Sequence, residues 1–203
     1  MRVLVIGATG TIGRAIVDAL APRHEIVPVS LRSTPITVDM AQPASIRALY
    51  QTVGPIDAVV SAAGAAKFGP LSTLSDDDFA FCLANKLMGQ VNLVRLGFAQ
   101  VREGGAFVLT SGILARAPTV GSAAISLVNA GLEGFARAAA LEAPRGIRVN
   151  IVSPPWVEET LRALGMDPAL GLPAAAVAQT YVRAVEGAAT GDVMEPTAAQ
   201  TSV

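Results

Sequence analysis

The feature that most constrains this chain is Gly7-Ala8-Thr9-Gly10-Thr11-Ile12-Gly13, placed directly behind the apolar run Val3-Leu4-Val5-Ile6 and ahead of a helical pattern. A strand that runs through a glycine-rich turn straight into a helix leaves little choice of architecture. Gly7 permits the tight turn, Gly10 lets an anion reach the backbone, and Gly13 allows the helix to pack closely on the strand. The helix N-terminus then offers free N–H groups to a pyrophosphate. Three glycines at this spacing carry little weight alone; the strand before them and the helix after them give the motif its meaning.

Short β-branched runs alternate with helical patterns along the rest of the chain. The strands read as Val3–Gly7, Ile26–Ser30, Ile36–Asp39, Ile56–Ser61, Ala106–Ser111, Arg148–Ser153 and Asp192–Met194. The helices read as Ile12–Leu20, Ala44–Thr52, Asp76–Val101, Thr119–Ala143 and Ala174–Gly187. Several strands are apolar at every position, which requires cover on both faces. The expectation is an α/β fold, a doubly wound parallel sheet of about seven strands (a Rossmann fold). No repeat or linker divides the 203 residues, which read as a single domain, 1–203, with a fraying end after Pro196. Ser75, followed by three aspartates, reads as the N-cap of its helix.

Composition narrows the function classes. Formal net charge is −1 and the basic residues are scattered, so no nucleic-acid footprint is expected. Cys82 is the one cysteine and His24 the one histidine. A disulfide framework, a Cys or His metal cluster and a Ser-His-Asp triad are therefore not expected, and no metal site is assigned. His24 falls in a Pro-Arg-His-Glu turn and reads as a solvated loop residue. Ala117–Leu132, the longest uncharged stretch, is too short and too polar for a membrane span. A strand beginning at the third residue leaves no room for a signal peptide, and the reading is a cytoplasmic protein.

The second strand ends in Ser30-Leu31-Arg32-Ser33, without the acidic residue that would bond ribose hydroxyls. Arg32 with Ser33 and Thr34 suits a 2′-phosphate, which a guanidinium fork and hydroxyl donors recognise. The expected cofactor is NADP(H).

In order along the chain stand the glycine loop, Ser61-Ala62-Ala63-Gly64, Thr110-Ser111-Gly112 and Arg148-Val149-Asn150-Ile151-Val152-Ser153-Pro154. From Met1 to about Met194 the sequence thereby resembles the short-chain dehydrogenase/reductase family. That resemblance implies cofactor contacts from Gly7, Thr9, Gly10, Thr11, Ile12 and Gly13, and from Arg32 and Ser33 at the 2′-phosphate. It adds Asp39 at the adenine, Ala62, Ala63 and Gly64 beside the ribose, and Pro154 and Thr160 at the nicotinamide. It makes Ser111 the catalytic serine, and residues 155–173 a short substrate loop. The apolar Leu161, Leu164, Met166 and Leu170 there point to a small, partly hydrophobic substrate. Trp156 reads equally as the pocket roof or as an anchor of that loop, and Tyr181 reads as helix packing.

The catalytic helix departs from the family. Asn129-Ala130-Gly131-Leu132-Glu133-Gly134-Phe135-Ala136-Arg137 looks like Lys-Ala-(small)-Leu-Glu-Gly-Phe-x-Arg, with Asn129 at the lysine position and Ile125 at the tyrosine position. Neither Tyr nor Lys occurs between Ser111 and Ala143, so no shift of register restores the pair. A tyrosine near its ordinary pKa of about 10 needs a lysine beside it to serve as an acid at working pH. An isoleucine donates nothing. Gly89 sets a second register in which Lys86, preceded by Asn85, replaces the family's helix asparagine. Lys86 is thus a candidate proton donor or oxyanion stabiliser, alternatively a partner of Asp76–Asp78, and Ser111 with Asn129 forms a candidate carbonyl-polarising pair.

Three functions stay open on these residues: an NADP(H)-dependent oxidoreductase acting on a small carbonyl or alcohol, an NADP(H)-binding sensor or structural protein without turnover, and a non-redox isomerase, lyase or cyclase. The helices Asp76–Val101 and Thr119–Ala143 are free of charge over much of their length, which implies burial beyond one monomer. With the family resemblance they predict at least a homodimer, a dimer or tetramer.

Overall fold

In strand β1 (Arg2–Ile6) successive side chains leave opposite faces, and both faces are dry: Val3 and Val5 enter one core layer, Leu4 and Ile6 the other. The same split recurs in β5 (Val101–Thr110), where Ala106 and Val108 join the first layer and Phe107 and Leu109 the second. A sheet buried on both faces needs helices on both, and this one has them. We describe residues 1–197 from a computed structural model; the remainder of the fraying end expected after Pro196 lies outside the described residues.

The remaining strands are β2 (Glu25–Ser30), β3 (Ile36–Thr37), β4 (Ile56–Ser61), β6 (Arg148–Val152) and β7 (Val193–Met194). All neighbours pair in parallel, in the order β3-β2-β1-β4-β5-β6-β7. The order reverses between β1 and β4, and the crevice at the carboxyl ends of the strands there is where open α/β sheets take ligands. Helices α1 (Thr11–Leu20) and α7 (Ala174–Glu186) cover one face; α2 (Pro43–Val53), α4 (Gly89–Gly97) and α5 (Ala123–Glu142) cover the other. Two shorter helices, α3 (Asp76–Cys82) and α6 (Glu158–Ala163), complete the set. The doubly wound Rossmann architecture is as the sequence predicts. Among the described residues no helix is long and apolar enough to cross a membrane.

Several boundaries differ from the sequence reading, β3 among them, which stops at Thr37 where Asp39 was expected; three differences are structurally informative. The single helix expected over Asp76–Val101 is three pieces: α3, a π-helical segment over Leu83–Met88, and α4, which stops at Gly97. Val101 instead opens β5, pairing with Ile56, after which the register slips so that Ala58 pairs with Ala106. Gly104 adopts a φ of 70°, and between Val101 and Ala106 the chain loops out without leaving the sheet. Thr119 and Ser122 form a hydroxyl-bonded turn ahead of α5 rather than its first residues. The predicted N-cap at Ser75 is present as a full capping box with Asp78.

His24 is not a solvated loop residue. Its side chain is only 8% exposed, and Nε2 lies 2.8 Å from Glu186, which also takes Arg23 at 2.9 Å. The end of α1 packs on α7, and that contact, invisible in the local sequence, covers the ring. Tyr181 is fully buried with its hydroxyl 2.7 Å from Thr110 Oγ1, which is helix packing as expected.

Candidate active site

Two of the three glycines in the loop leave no room for a side chain. Gly7 adopts a φ of 84°, and a Cβ there would lie 2.9 Å from the backbone of Ala62 and Ala63. A Cβ on Gly13 would stand 1.9 Å from the Gly7 carbonyl oxygen, so α1 and the end of β1 are in direct backbone contact. Nothing caps the first turn of α1 from a side chain, and its N–H groups point into the crevice mouth beside Thr9, Gly10 and Thr11. These residues fit the pyrophosphate of a dinucleotide.

Two cavities, each of about 180 Å³, flank the loop. The first lies over the ends of β1, β2 and β4; Gly7, Asp39, Ala63, Gly64 and Asn85 are in its wall. Asp39 is held there by its own turn, its carboxylate accepting from the Ala41 N–H at 3.0 Å. Arg32 and Ser33 stand outside this cavity, exposed beyond the end of β2. Among the described residues no ion pair engages Arg32.

The second cavity lies over β5 and β6, and into it the fold brings Ile12, Ser111, Asn129, Pro154 and Thr160. Trp156 and Val157 close one side, which places the tryptophan in the pocket wall. Asn129 is 2% exposed, and its Oδ1 is buried without a hydrogen-bond partner among the described residues. A buried acceptor left unpaired is costly; a bound donor, such as a hydroxyl, would satisfy it.

Lys86 joins the two cavities without lining either. Its stem lies against Gly64, where a Cβ would meet the lysine Cδ at 2.8 Å, and Nζ donates to the Ser111 carbonyl at 3.2 Å. It does not pair with Asp76–Asp78; Lys67 takes that place, 3.9 Å from Asp78. Burial pushes the Lys86 ammonium down to about 8. The π-helical turn at Leu83–Met88 carries both Asn85 and Lys86, and such widened turns are frequent at functional sites. One turn on, the Gln90 amide brackets the Thr110 backbone, accepting from its N–H at 2.8 Å and donating to its carbonyl at 3.0 Å. That clamp fixes the end of β5 against the lysine.

Ser111 is 4% exposed and its hydroxyl donates to Glu133 at 3.0 Å. The residue whose bare face looks toward Asn129 is Gly112, where a Cβ would lie 3.1 Å from the amide nitrogen. Glu133 is the group the sequence reading passed over. It sits one turn after Asn129 on α5, and a glutamate in a helical pattern is ordinarily solvated; here it is 4% exposed. Its position four residues from a site candidate was the available signal.

The comparisons with known proteins fit this geometry. The chain matches, over residues 7–195, the family model described as enoyl-(acyl carrier protein) reductase. It belongs to the short-chain dehydrogenase/reductase family. Among its relatives, 2,3-dihydro-2,3-dihydroxybenzoate dehydrogenase of Escherichia coli is 32% identical over an alignment of 161 residues that covers 70% of this chain and 64% of that protein. The chain thus spans a little under two thirds of that relative's length. The 3-oxoacyl-(acyl-carrier-protein) reductase FabG of Salmonella typhimurium is 28% identical over an alignment of 195 residues that covers 83% of this chain and 79% of that one. Of solved structures, the protein lin1944 from Listeria innocua is 40% identical with a TM-score of 0.94, covering 97% of this chain and all of the other. A small-chain dehydrogenase in complex with NADPH superposes with a TM-score of 0.84 at 23% identity, covering 96% and 95% of the two chains, a likeness of fold.

Proposed function

We propose that this chain is an NADP(H)-dependent oxidoreductase that interconverts a small, partly hydrophobic carbonyl compound and its alcohol. The observation that carries this reading is the pair of cavities on either side of a glycine cradle, one of them holding Asn129 with an unanswered acceptor. Gly7, Thr9, Gly10, Thr11, Ile12 and Gly13 would hold the pyrophosphate, Asp39 the adenine side, Ala62, Ala63 and Gly64 a ribose, and Pro154 and Thr160 the nicotinamide end. Arg32 and Ser33, exposed beyond the end of β2, favour the 2′-phosphate form. The nicotinamide, when bound, supplies or accepts a hydride.

The chain's own residues then have three tasks. Ser111 and Asn129 orient and polarise the substrate oxygen. Lys86, its ammonium buried beside the Ser111 carbonyl, offsets negative charge that develops on that oxygen. The lid over residues 155–173, its base tied by backbone bonds between Glu158 and Leu172 and between Leu172 and Trp156, keeps water from the second cavity. Leu127 and Leu141 on α5, with Phe81, Leu83 and Met88 along α3 and the π-helical segment, are exposed apolar residues that favour a homodimer or tetramer.

Calorimetric titration with NADPH and NADH, followed by a screen of short aliphatic and aromatic carbonyls for NADPH oxidation, tests the reading. Selective NADPH binding with turnover of at least one carbonyl is expected. Tight binding with no turnover would favour the cofactor-binding reading, for which Ile125 at the position of the family's tyrosine already speaks.

A further inference from the structure

Helix α7 starts with an unusual deficit. Pro173 stands at its N-cap and brings no side-chain acceptor to the first N–H groups. The acceptor comes from 15 residues earlier, on α6: the Ala174 N–H donates to both carboxylate oxygens of Glu159, at 3.1 Å and 3.0 Å. A carboxylate there satisfies an orphan donor and meets the positive end of the helix dipole. Among the described residues no ion pair engages Glu159; Arg162, within reach on the same helix, pairs with Glu158 instead. We infer that Glu159 is a positioning residue, which caps α7 and thereby holds its neighbour Thr160 at the nicotinamide end of the cofactor. The inference rests on the dinucleotide reading above and names what fixes the lid over that end.

Three observations carry it. Thr160 lines the second cavity together with Ile12 of the glycine loop. Its carbonyl accepts from the Leu164 N–H at 3.1 Å, and among the described residues no hydrogen bond engages its hydroxyl, which leaves that group to a ligand. Next, the lid is held on both sides of Thr160. Before it, Gly171 presses so closely that a Cβ would lie 2.7 Å from the Glu158 nitrogen and 2.9 Å from the Trp156 carbonyl oxygen. After it, Leu161 is fully buried. Finally, the helix that Glu159 caps belongs to the frame of the cofactor half. Val177, Ala178 and Tyr181 of α7 share a core layer with Ile16 and Leu20 of α1, the helix that opens at the glycine loop. Glu159 and Thr11 line one groove between these helices.

With Leu161 and the backbone clip in place, loss of the cap leaves α6 attached but frees its angle to α7. Thr160 then shifts against Ile12, and the nicotinamide end loses a partner while the adenine end keeps all of its own.

Calorimetry with two probes tests this: NADPH, and adenosine 2′,5′-bisphosphate, which is the adenine half without a nicotinamide. Glu159→Ala should raise the Kd for NADPH about 10-fold and leave that for the bisphosphate unchanged. Glu159→Gln keeps an acceptor and should recover part of the affinity; it also gives the same comparison should Glu159→Ala fold poorly. Thr160→Val should weaken NADPH by itself, and adding Glu159→Ala to it should change little, because the effect runs through Thr160. Equal losses for both probes, or full additivity of the two substitutions, would make the cap a general prop of the fold and overturn the inference. Unchanged NADPH affinity in Glu159→Ala overturns it too and leaves the dinucleotide reading standing. A wild-type protein that binds neither probe overturns that reading and the inference together.

Discussion

The two halves of this site have diverged to different extents. Around β1, β2 and β4 the cofactor half keeps every backbone condition that a dinucleotide imposes, down to a Gly13 whose replacement by any side chain collides with the chain itself. Around β5, β6 and α5 the other half keeps its shape but not its groups: Ile125 and Asn129 stand where the family's tyrosine and lysine are expected, and the ionisable side chains that touch Ser111, Lys86 and Glu133, come from other positions. Backbone requirements resist change because every alternative costs folding as well as binding. Side-chain chemistry on a rigid strand end can be replaced from a neighbouring helix at little structural cost.

The largest test of that contrast is Gly13→Ala. Forcing a methyl against the Gly7 carbonyl should destabilise the fold by about 3 kcal/mol and abolish measurable NADPH binding in calorimetry; a variant that binds normally would break the claim that the cofactor half is backbone-limited. The opposite half should be permissive. Ile125→Tyr combined with Asn129→Lys restores the family's acid and its lysine, and should raise carbonyl turnover by about 100-fold without loss of thermal stability. No gain in steady-state rate would show that the shape of this half has changed along with its groups.

Smaller effects sharpen the comparison further. Arg32→Ala should weaken NADPH binding by about 10-fold to 100-fold and leave NADH nearly untouched; equal losses would remove the 2′-phosphate assignment. Lys86 makes a pH prediction whose sign is fixed by burial. The folded protein releases the Lys86 proton near pH 8, while the unfolded chain keeps it up to the ordinary lysine value. Between those limits the unfolded state binds more protons, so stability should rise with pH through that window. Denaturant melts at stepped pH should show the rise in wild type and lose it in Lys86→Met. Turnover moves the other way: the ammonium is lost above pH 8, and carbonyl reduction should fall there.

Much of this was legible in the residue order. The apolar strands, the glycine loop, the Ser75 cap and the absence of Tyr and Lys from α5 are local or pairwise patterns, and local patterns are what a sequence displays. The loop-out at Gly104 and the π-helical turn at Leu83–Met88 were not legible, because each depends on what the neighbouring strand or helix demands of an otherwise ordinary run. His24 was misjudged for the same reason: its turn looks solvated until α7 brings Glu186 against it.

The sequence by itself determined the fold class, the cradle for a dinucleotide and the loss of the family's proton donor, since these depend on which residues occur and on their spacing. Only the tertiary structure decided that Lys86 crosses over Gly64 to the Ser111 carbonyl and that the Ser111 hydroxyl donates a hydrogen bond to a buried Glu133. Both contacts join residues more than 20 positions apart, on different elements. Their existence depends on how α5 and the π-helical segment pack against the end of β5, and no local pattern encodes that.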